Sequence, residues 1–443
     1  MNTFTHKKCL ALLEVDILGM KLKSIRELKN FKNKRVLLRV DFNVPVEEGK
    51  VKDDWRIRAI LPTLEFLRKA GAKVVIVSHL GRPIVGANPK SEIRNPKQIQ
   101  MTKIQNSKLS LRPVFNYLKK LVNFKVDFSD AGIGSPSLER KIKSLKAGGV
   151  LMLENIRFYA DEEANDAEFA KKLAEMADIF VNDAFAVSHR DCASITGVTK
   201  FLPCYAGLNL EKEVEVLSNV FKNPAKPMVV LMGGAKISDK IGVIEKMLPK
   251  SKVVLLGGGL ANNFLKARGF EIGDSFFDKD GAGAAARLKK NVKIVLPVDV
   301  VITNGKRVEI KLVSTPTQPP PPRGRGRNGG GGICPVGWKI VDIGPRTIKL
   351  FSDYIRRAQT IVWNGPMGYF EKPEFSYGTM SMAQIVGSRS TGKAFGVVGG
   401  GETIEALRKS GMENYIDWVS TGGGAMLEFL EKGTLIGLEP LKK

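Results

Sequence analysis

Short runs of valine, isoleucine and leucine recur along this chain, each ending in glycine or a polar residue and each followed by helix-like sequence. In the first half they are 34–44 (KRVLLRVDFNV), 73–80 (KVVIVSHL), 150–158 (VLMLENIRF) and 179–185 (IFVNDAF). Near-continuous apolar runs suit strands buried on both faces. Between the first two runs, Ile57, Ile60, Leu61, Leu64 and Leu67 recur at helix spacing, so the order is strand, helix, strand, which requires parallel pairing. The second half repeats this grammar in PMVVLMGG, KVVLLGGG, KIVLPVDVV, TIVWNGP, FGVVGG and WVSTGGG. A chain of 443 residues exceeds one ordinary core. The fold expected is therefore α/β, with two doubly wound parallel-sheet, Rossmann-like domains separated by a cleft and hinge, and ligands at the carboxyl ends of the strands. The boundary is placed near Cys204, ahead of the helix-like 209–221, giving domains at 20–203 and 204–429.

Two stretches break the pattern. Residues 84–109 are basic and weakly patterned, and 314–332 (STPTQPPPPRGRGRNGGGG) form a low-complexity insertion. Residues 1–19 carry Glu14 and Asp16 inside their apolar part, which spoils a secretory core, and Met20 opens a natural-looking start. They are read as an extension of unknown role. No run reaches transmembrane length, and Cys9, Cys192, Cys204 and Cys334 have neither disulfide-framework nor metal-ligand spacing. A cytoplasmic protein without a membrane partner is expected. The formal net charge of +25 favours anionic partners of any kind and does not choose among them.

Two constellations carry chemistry. Asp41, Asn43, Arg56, His79, Arg82, Arg157 and Arg190 fall at or beyond strand ends of the first half. Any one of these arginines is ordinarily a solvated surface residue, but strand ends share one side of a parallel sheet. Together they form a basic basin suited to phosphate and carboxylate. The second half supplies glycine-rich turns: Gly233-Gly234-Ala235-Lys236 with Asp239 and Lys240, then Gly257-Gly258-Gly259, Gly399-Gly400-Gly401-Glu402-Thr403 and Thr421-Gly422-Gly423-Gly424. Glycine lets backbone approach a ligand closely, and the helix that follows offers free N–H groups to an anion. The segment 387–394 (GSRSTGKA) imitates a phosphate loop but ends in Ala394 and follows helix-like sequence, so it is read as coincidence.

With RVDFNVP, HLGRP, LENIRF, NDAF with SHR, LMGGAKISDKI, GGGLANNF, WNGPMGYFE, VVGGGET and STGGGA in this order, the chain resembles the phosphoglycerate kinase family from about Met20 onward. The resemblance implies reversible phosphoryl transfer from 1,3-bisphosphoglycerate to ADP, giving 3-phosphoglycerate and ATP, by in-line transfer in a closed interdomain cleft. It implies Mg2+ with ATP or ADP. Asp41, Asn43, Arg56, His79, Leu80, Gly81, Arg82, Arg157 and Arg190 would bind the glycerate substrate. Lys212, Lys236, Lys240, Gly257, Gly258, Asn364, Glu371, Gly400, Gly401, Glu402 and Thr403 would contact the nucleotide, with Glu402 toward its magnesium. Arg56 and Lys236 would be catalytic, and 430–443 would return to the first domain. A monomer is expected.

Three departures from the family pattern stand out. Glu402 occupies a place where aspartate is usual, Asp191 and Cys192 follow Arg190 in place of a small residue and histidine, and the tract 314–332 replaces a compact segment near the nucleotide. An RNA-binding reading would rest on the basic charge and the Arg-Gly repeat, but three arginines make a short example, and a nucleic-acid partner is not expected. Another kinase on this scaffold is disfavoured because both sets of motifs are intact.

Overall fold

A computed structural model describes residues 20–83, 108–313 and 333–443. The extension 1–19, the tract 314–332 and most of the basic stretch 84–109 lie outside the described residues. The chain divides into two compact units, one of residues 20–216 with Thr434–Lys443, the other Leu217–Gly433. The division falls inside the helix Leu208–Lys222.

The first unit contains β1 (Arg35–Arg39), a small antiparallel hairpin of β2 (Val46–Glu47) and β3 (Lys50–Val51), then β4 (Lys73–Val77), β5 (Val126–Ser129), β6 (Val150–Leu153), β7 (Ile179–Asn182) and β8 (Cys204–Ala206). Its main sheet runs β5-β6-β4-β1-β7-β8, with every pairing parallel. The central strands are mostly apolar, and Val36, Leu38, Val74, Ile76 and Val181 sit in one core with Ile57, Leu64 and Leu67. The predicted helix over Ile57–Leu67 is two helices, Trp55–Ala59 and Leu61–Lys69. Pro62 explains the break: it has no N–H for a continuing helix but suits a first turn. The strands are also shorter than the apolar runs, whose last residues form the loops at the strand ends. The C-terminal residues complete this unit. Leu22 bridges Lys442, and the Gly437 N–H donates to the Ser188 carbonyl at 2.8 Å.

The second unit contains β9 (Met228–Met232), β10 (Val253–Leu256), β11 (Ile294–Val295), β12 (Asp299–Thr303), β13 (Val308–Leu312), β14 (Lys339–Ile343), β15 (Thr360–Asn364), β16 (Phe395–Gly399) and β17 (Trp418–Val419). Its parallel sheet runs β11-β10-β9-β15-β16-β17. The run KIVLPVDVV is not one strand. Pro297 separates β11 from β12, and β12 leaves the parallel sheet to form an antiparallel sheet in the order β13-β12-β14. Gly387 to Ser390 close the helix Tyr377–Ser390, so the segment 387–394 is no phosphate loop. In both sheets the chain changes direction beside the first strand laid down, β1 or β9. Such a switch point opens a crevice at the carboxyl ends.

Candidate active site

In the first unit the loops after β1, β4 and β6 are tied into one surface. The Arg56 guanidinium reaches the Asp41 carboxylate at 2.8 Å and donates to the Asn43 carbonyl at 2.9 Å. The Asn43 side-chain oxygen accepts from the Gly81 N–H at 2.9 Å. Arg157 donates to the Gly81 carbonyl at 2.7 Å and pairs with Glu163 at 3.3 Å. Asn155 locks this arrangement. Its oxygen accepts from the N–H groups of Leu80 and Arg157, and its amide donates to the Leu80 carbonyl at 2.8 Å. Thus Asp41, Asn43, Arg56, His79, Leu80, Gly81 and Arg157 are brought together, while Arg82 is exposed beside them.

Charge in this basin is predominantly positive. Burial, followed by the fields of Arg39, Arg157, Arg56 and Arg190, holds His79 well below the usual histidine range, so it is a neutral imidazole at neutral pH. Its Nδ1 lies 3.4 Å from Nη2 of Arg39. Guanidinium groups only donate, which makes Nδ1 the acceptor and leaves the proton on Nε2. Burial also lowers Arg157. The Nε of Arg190 is buried without a hydrogen-bond partner among the described residues. Losing a partner in the interior is costly for a cation, and an anion in the basin would relieve it.

The second unit builds its site from backbone. Gly233 N–H donates to the Asn364 carbonyl at 2.9 Å, Gly234 N–H to Pro366 at 2.7 Å and Gly258 N–H to Met367 at 2.9 Å, which knits the loops after β9, β10 and β15. The next loop joins through Asn364, which donates to the Gly399 carbonyl at 2.9 Å, and Thr403, which accepts from Gly365 N–H at 2.7 Å. Gly258 has φ +59°, and a Cβ there would meet the Pro366 carbonyl at 2.9 Å, so any side chain would strain the turn and push the loops apart. Gly400, at φ +95°, turns the chain into the helix Gly401–Lys409.

Between these loops lies a cavity of about 170 Å³. Its apolar wall includes Leu265, Phe276, Val300, Ile340, Val341 and Met367, while Gly234, Gly258, Glu371 and Glu402 also line it. This combination suits a flat heterocycle with an anionic tail. Lys240 sits against Gly234. Burial lowers its ammonium, opposed by Asp239 and Glu402. Lys236 is exposed on the loop after β9, Gly401 is exposed at the first position of its helix, and Gly257 precedes the helix Gly258–Ala267. Lys212 lies in the helix Leu208–Lys222, on the first unit's side of the division, and pairs with Glu215 at 3.0 Å.

The phosphoglycerate kinase family model matches residues 25–433. The chain belongs to the phosphoglycerate kinase family. It is 42% identical over 430 residues to a phosphoglycerate kinase of Chloroflexus aggregans, covering 96% of this chain and 99% of that one. One from Dictyoglomus turgidum is also 42% identical, with 96% and 100% covered. Solved phosphoglycerate kinase structures from Coxiella burnetii and Pyrococcus horikoshii superpose with TM-scores of 0.74 and 0.76, at 37% and 34% identity. Each covers 95% of this chain, and 99% or 98% of its own.

Within this family's motifs, sequence reasoning passed over Arg39, two residues before Asp41. It is 1% exposed, donates to Ser194 Oγ at 2.8 Å and lies 4.0 Å from Glu162. Glu162 is itself buried and accepts from the Ser194 N–H at 2.9 Å. The available signal was a charge inside an otherwise apolar strand. Ile340 and Val341 were missed for the opposite reason, since apolar residues of β14 look like any core. Asp191, one of the departures after Arg190, accepts from Asn165 at 2.7 Å. Burial pushes the other, Cys192, up to about 12, so it is a packing thiol. Among the described residues no helix is long and apolar enough to cross a membrane.

Proposed function

We propose that this protein catalyses reversible phosphoryl transfer between 1,3-bisphosphoglycerate and ADP in the cytoplasm. The observation that carries this reading is the basin around the neutral His79, where Arg39, Arg56, Arg157 and Arg190 all act on one imidazole and the buried Arg190 Nε lacks a partner among the described residues. A small, multiply anionic molecule is the ligand such a basin favours. Asp41, Asn43 and Arg56, with Leu80, Gly81, Arg82, Arg157 and Arg190, would hold the glycerate phosphate and carboxyl groups, and Nε2–H of His79 would donate a neutral hydrogen bond.

In the second unit the apolar slot would take adenine, and the backbone of Gly257, Gly258, Gly400 and Gly401 would face ribose and phosphates. Lys240 and Lys236 would offset phosphate charge. Lys212, Asn364, Glu371 and Thr403 belong to the proposed set, Asn364 and Thr403 acting mainly as braces between loops. The donor set also fits magnesium carried on the nucleotide. No group of three or more metal-ligating side chains stands together among the described residues, and magnesium typically keeps phosphate and water ligands with only one or two carboxylates. Glu402, on the cavity wall, is the carboxylate placed to meet it, and the ion would neutralise phosphate charge.

No general base is needed. In the ATP-consuming direction the nucleophile is a carboxylate, already ionised at neutral pH, so the chain's task is alignment and charge stabilisation. Arg56 and Lys236 are the donors proposed for the transferring group. A coupled assay of the purified protein with 3-phosphoglycerate and MgATP should show acyl phosphate formation. Binding of both substrates with no turnover would refute the reading and leave a binding protein.

A further inference from the structure

The strand β13 reads V-E-I-K-L and lies at the open edge of the antiparallel sheet, with β12 its sole strand neighbour among the described residues. Val308, Ile310 and Leu312 share one face and are 54%, 56% and 52% exposed. Isolated exposed apolar residues are ordinary. Three in register along an unpaired edge are a template for another strand, and natural edges are usually blunted by charge, bulges or brevity. Here the charge is cancelled, because Lys311 pairs with Glu309 at 2.7 Å on the other face.

Backbone direction agrees with the side chains. The bonds flanking this pairing run from Val313 N–H to the Val298 carbonyl and from Asn304 N–H to the Arg307 carbonyl, in register with Ile310 opposite Val301. Direct bonding alternates along an antiparallel ladder, so residues 307, 309, 311 and 313 bond toward β12. Val308, Ile310 and Leu312 turn their N–H and C=O groups to the open side.

We propose that β13 is a self-pairing edge through which two copies of this chain associate about a two-fold axis at Ile310. An antiparallel partner centred there sets Val308 opposite Leu312, Ile310 opposite itself, and each Glu309 opposite the other copy's Lys311. The sequence is therefore complementary to its own reverse in both hydrophobicity and charge, which an isologous contact requires. The two β13 residues that would carry the ion pairs already lie on one face, and the three that would exchange backbone bonds are those whose groups face away from β12 and pair with no strand among the described residues. A five-residue strand pair is small beside the area of a stable interface, about 1,200 Å² or more. The association is accordingly weak and reversible, contrary to the monomer expected from the sequence.

Sedimentation velocity on the full chain should show a dimer fraction rising over roughly 10–1,000 µM, a weak-affinity range. Ile310→Lys, which opposes two like charges on the axis, should abolish it. Glu309→Lys and Lys311→Glu should each weaken self-association by about tenfold through like-charge cross-strand pairs. Mixing these two variants should restore a heterodimer, and the double charge swap should restore the homodimer. Turnover of every variant should match the parent, which verifies folding. A chain monomeric throughout this range overturns the proposal. So does a dimer indifferent to all three substitutions, which would use another surface. A dimer that appears only after residues 314–332 are replaced by a short linker also overturns it, because the chain's own tract would then be the occupant of the edge.

Discussion

The two units prepare for anions by different means. The first uses charged side chains held by both amides and carboxylates: Asn43 and Asn155 hold the 80–81 loop, and Arg157 and Arg56 are held against backbone carbonyls and paired with Glu163 and Asp41. The second uses main chain, with three loops bonded to one another and glycine where a Cβ would collide. Side-chain recognition is suited to a small ligand with several charges and few atoms. Backbone recognition leaves room for an apolar slot, and so suits a ligand with a large neutral part. The two devices should fail differently when single residues are changed.

The largest effect is expected at the charge donors. Arg56→Ala should lower turnover by roughly a hundredfold to a thousandfold, the usual loss when one preorganised donor to a transition state is removed, while leaving nucleotide affinity near the parent value. Lys236→Ala should do likewise without abolishing glycerate binding. The double variant should lose less than the product of the two, since both act on one charge. Steady-state kinetics with calorimetric binding would decide it. A raised substrate requirement at near-normal turnover would make either residue a ground-state binder.

In the second unit the sensitive positions should be glycines. Gly258→Ala places a methyl group 2.9 Å from one backbone carbonyl and 3.0 Å from Gly234, in a left-handed conformation that itself costs about 1–2 kcal/mol. Nucleotide affinity should fall by about tenfold to a hundredfold, with 3-phosphoglycerate affinity unchanged, as measured by titration calorimetry. Unchanged nucleotide affinity would mean that the loops after β9 and β10 do not form the phosphate cradle.

The contrast also explains what could be read from sequence. The arginines and glycines were legible because they recur at one strand end after another, and parallel topology gathers those ends on one side. The paired sheets followed from alternation of apolar runs with helical spacing. Ile340, Val341 and Phe276 were not legible, because a slot wall made of ordinary apolar residues has no local signature and depends on β12 and β14 leaving the parallel sheet. That departure turns on Pro297, which reads in sequence as a minor interruption. The split at Pro62 was equally local, and the periodicity ran through it because both helices bury the same face.

Glu402→Gln tests the one side-chain carboxylate assigned to the nucleotide's metal. It should raise the magnesium concentration needed for half-maximal rate by about threefold to tenfold, because one negative ligand is removed from a hard cation. Glycerate affinity should stay as it was. An unchanged magnesium dependence would place the longer side chain outside the metal's surroundings and shift attention to Asp239.

The smallest expected effect concerns a buried acid in each unit, Asp183 and Asp342. Burial raises both to about 7. Asp342 lies on the cavity wall, where it accepts from Gly378 N–H at 2.7 Å and Ile343 N–H at 2.9 Å; Asp183 accepts from Leu210 N–H at 2.8 Å in the helix that crosses the division. An acid raised on folding binds its proton more tightly in the native state than in the unfolded one. Its contribution is full below the unfolded value near 4, and it is lost as pH rises through 7. Each residue should therefore remove about 1 kcal/mol of stability between pH 6 and pH 8, or about 2–4 °C in the melting of its unit. Asp342→Asn should lower stability at pH 6, since its amide cannot accept from both N–H groups, yet flatten the pH slope of the second unit alone. Asp183→Asn should flatten that of the first. Hydrogen exchange resolved by unit would separate the two, and a slope unchanged in both variants would show that these carboxyl groups are ionised in the folded protein throughout this range.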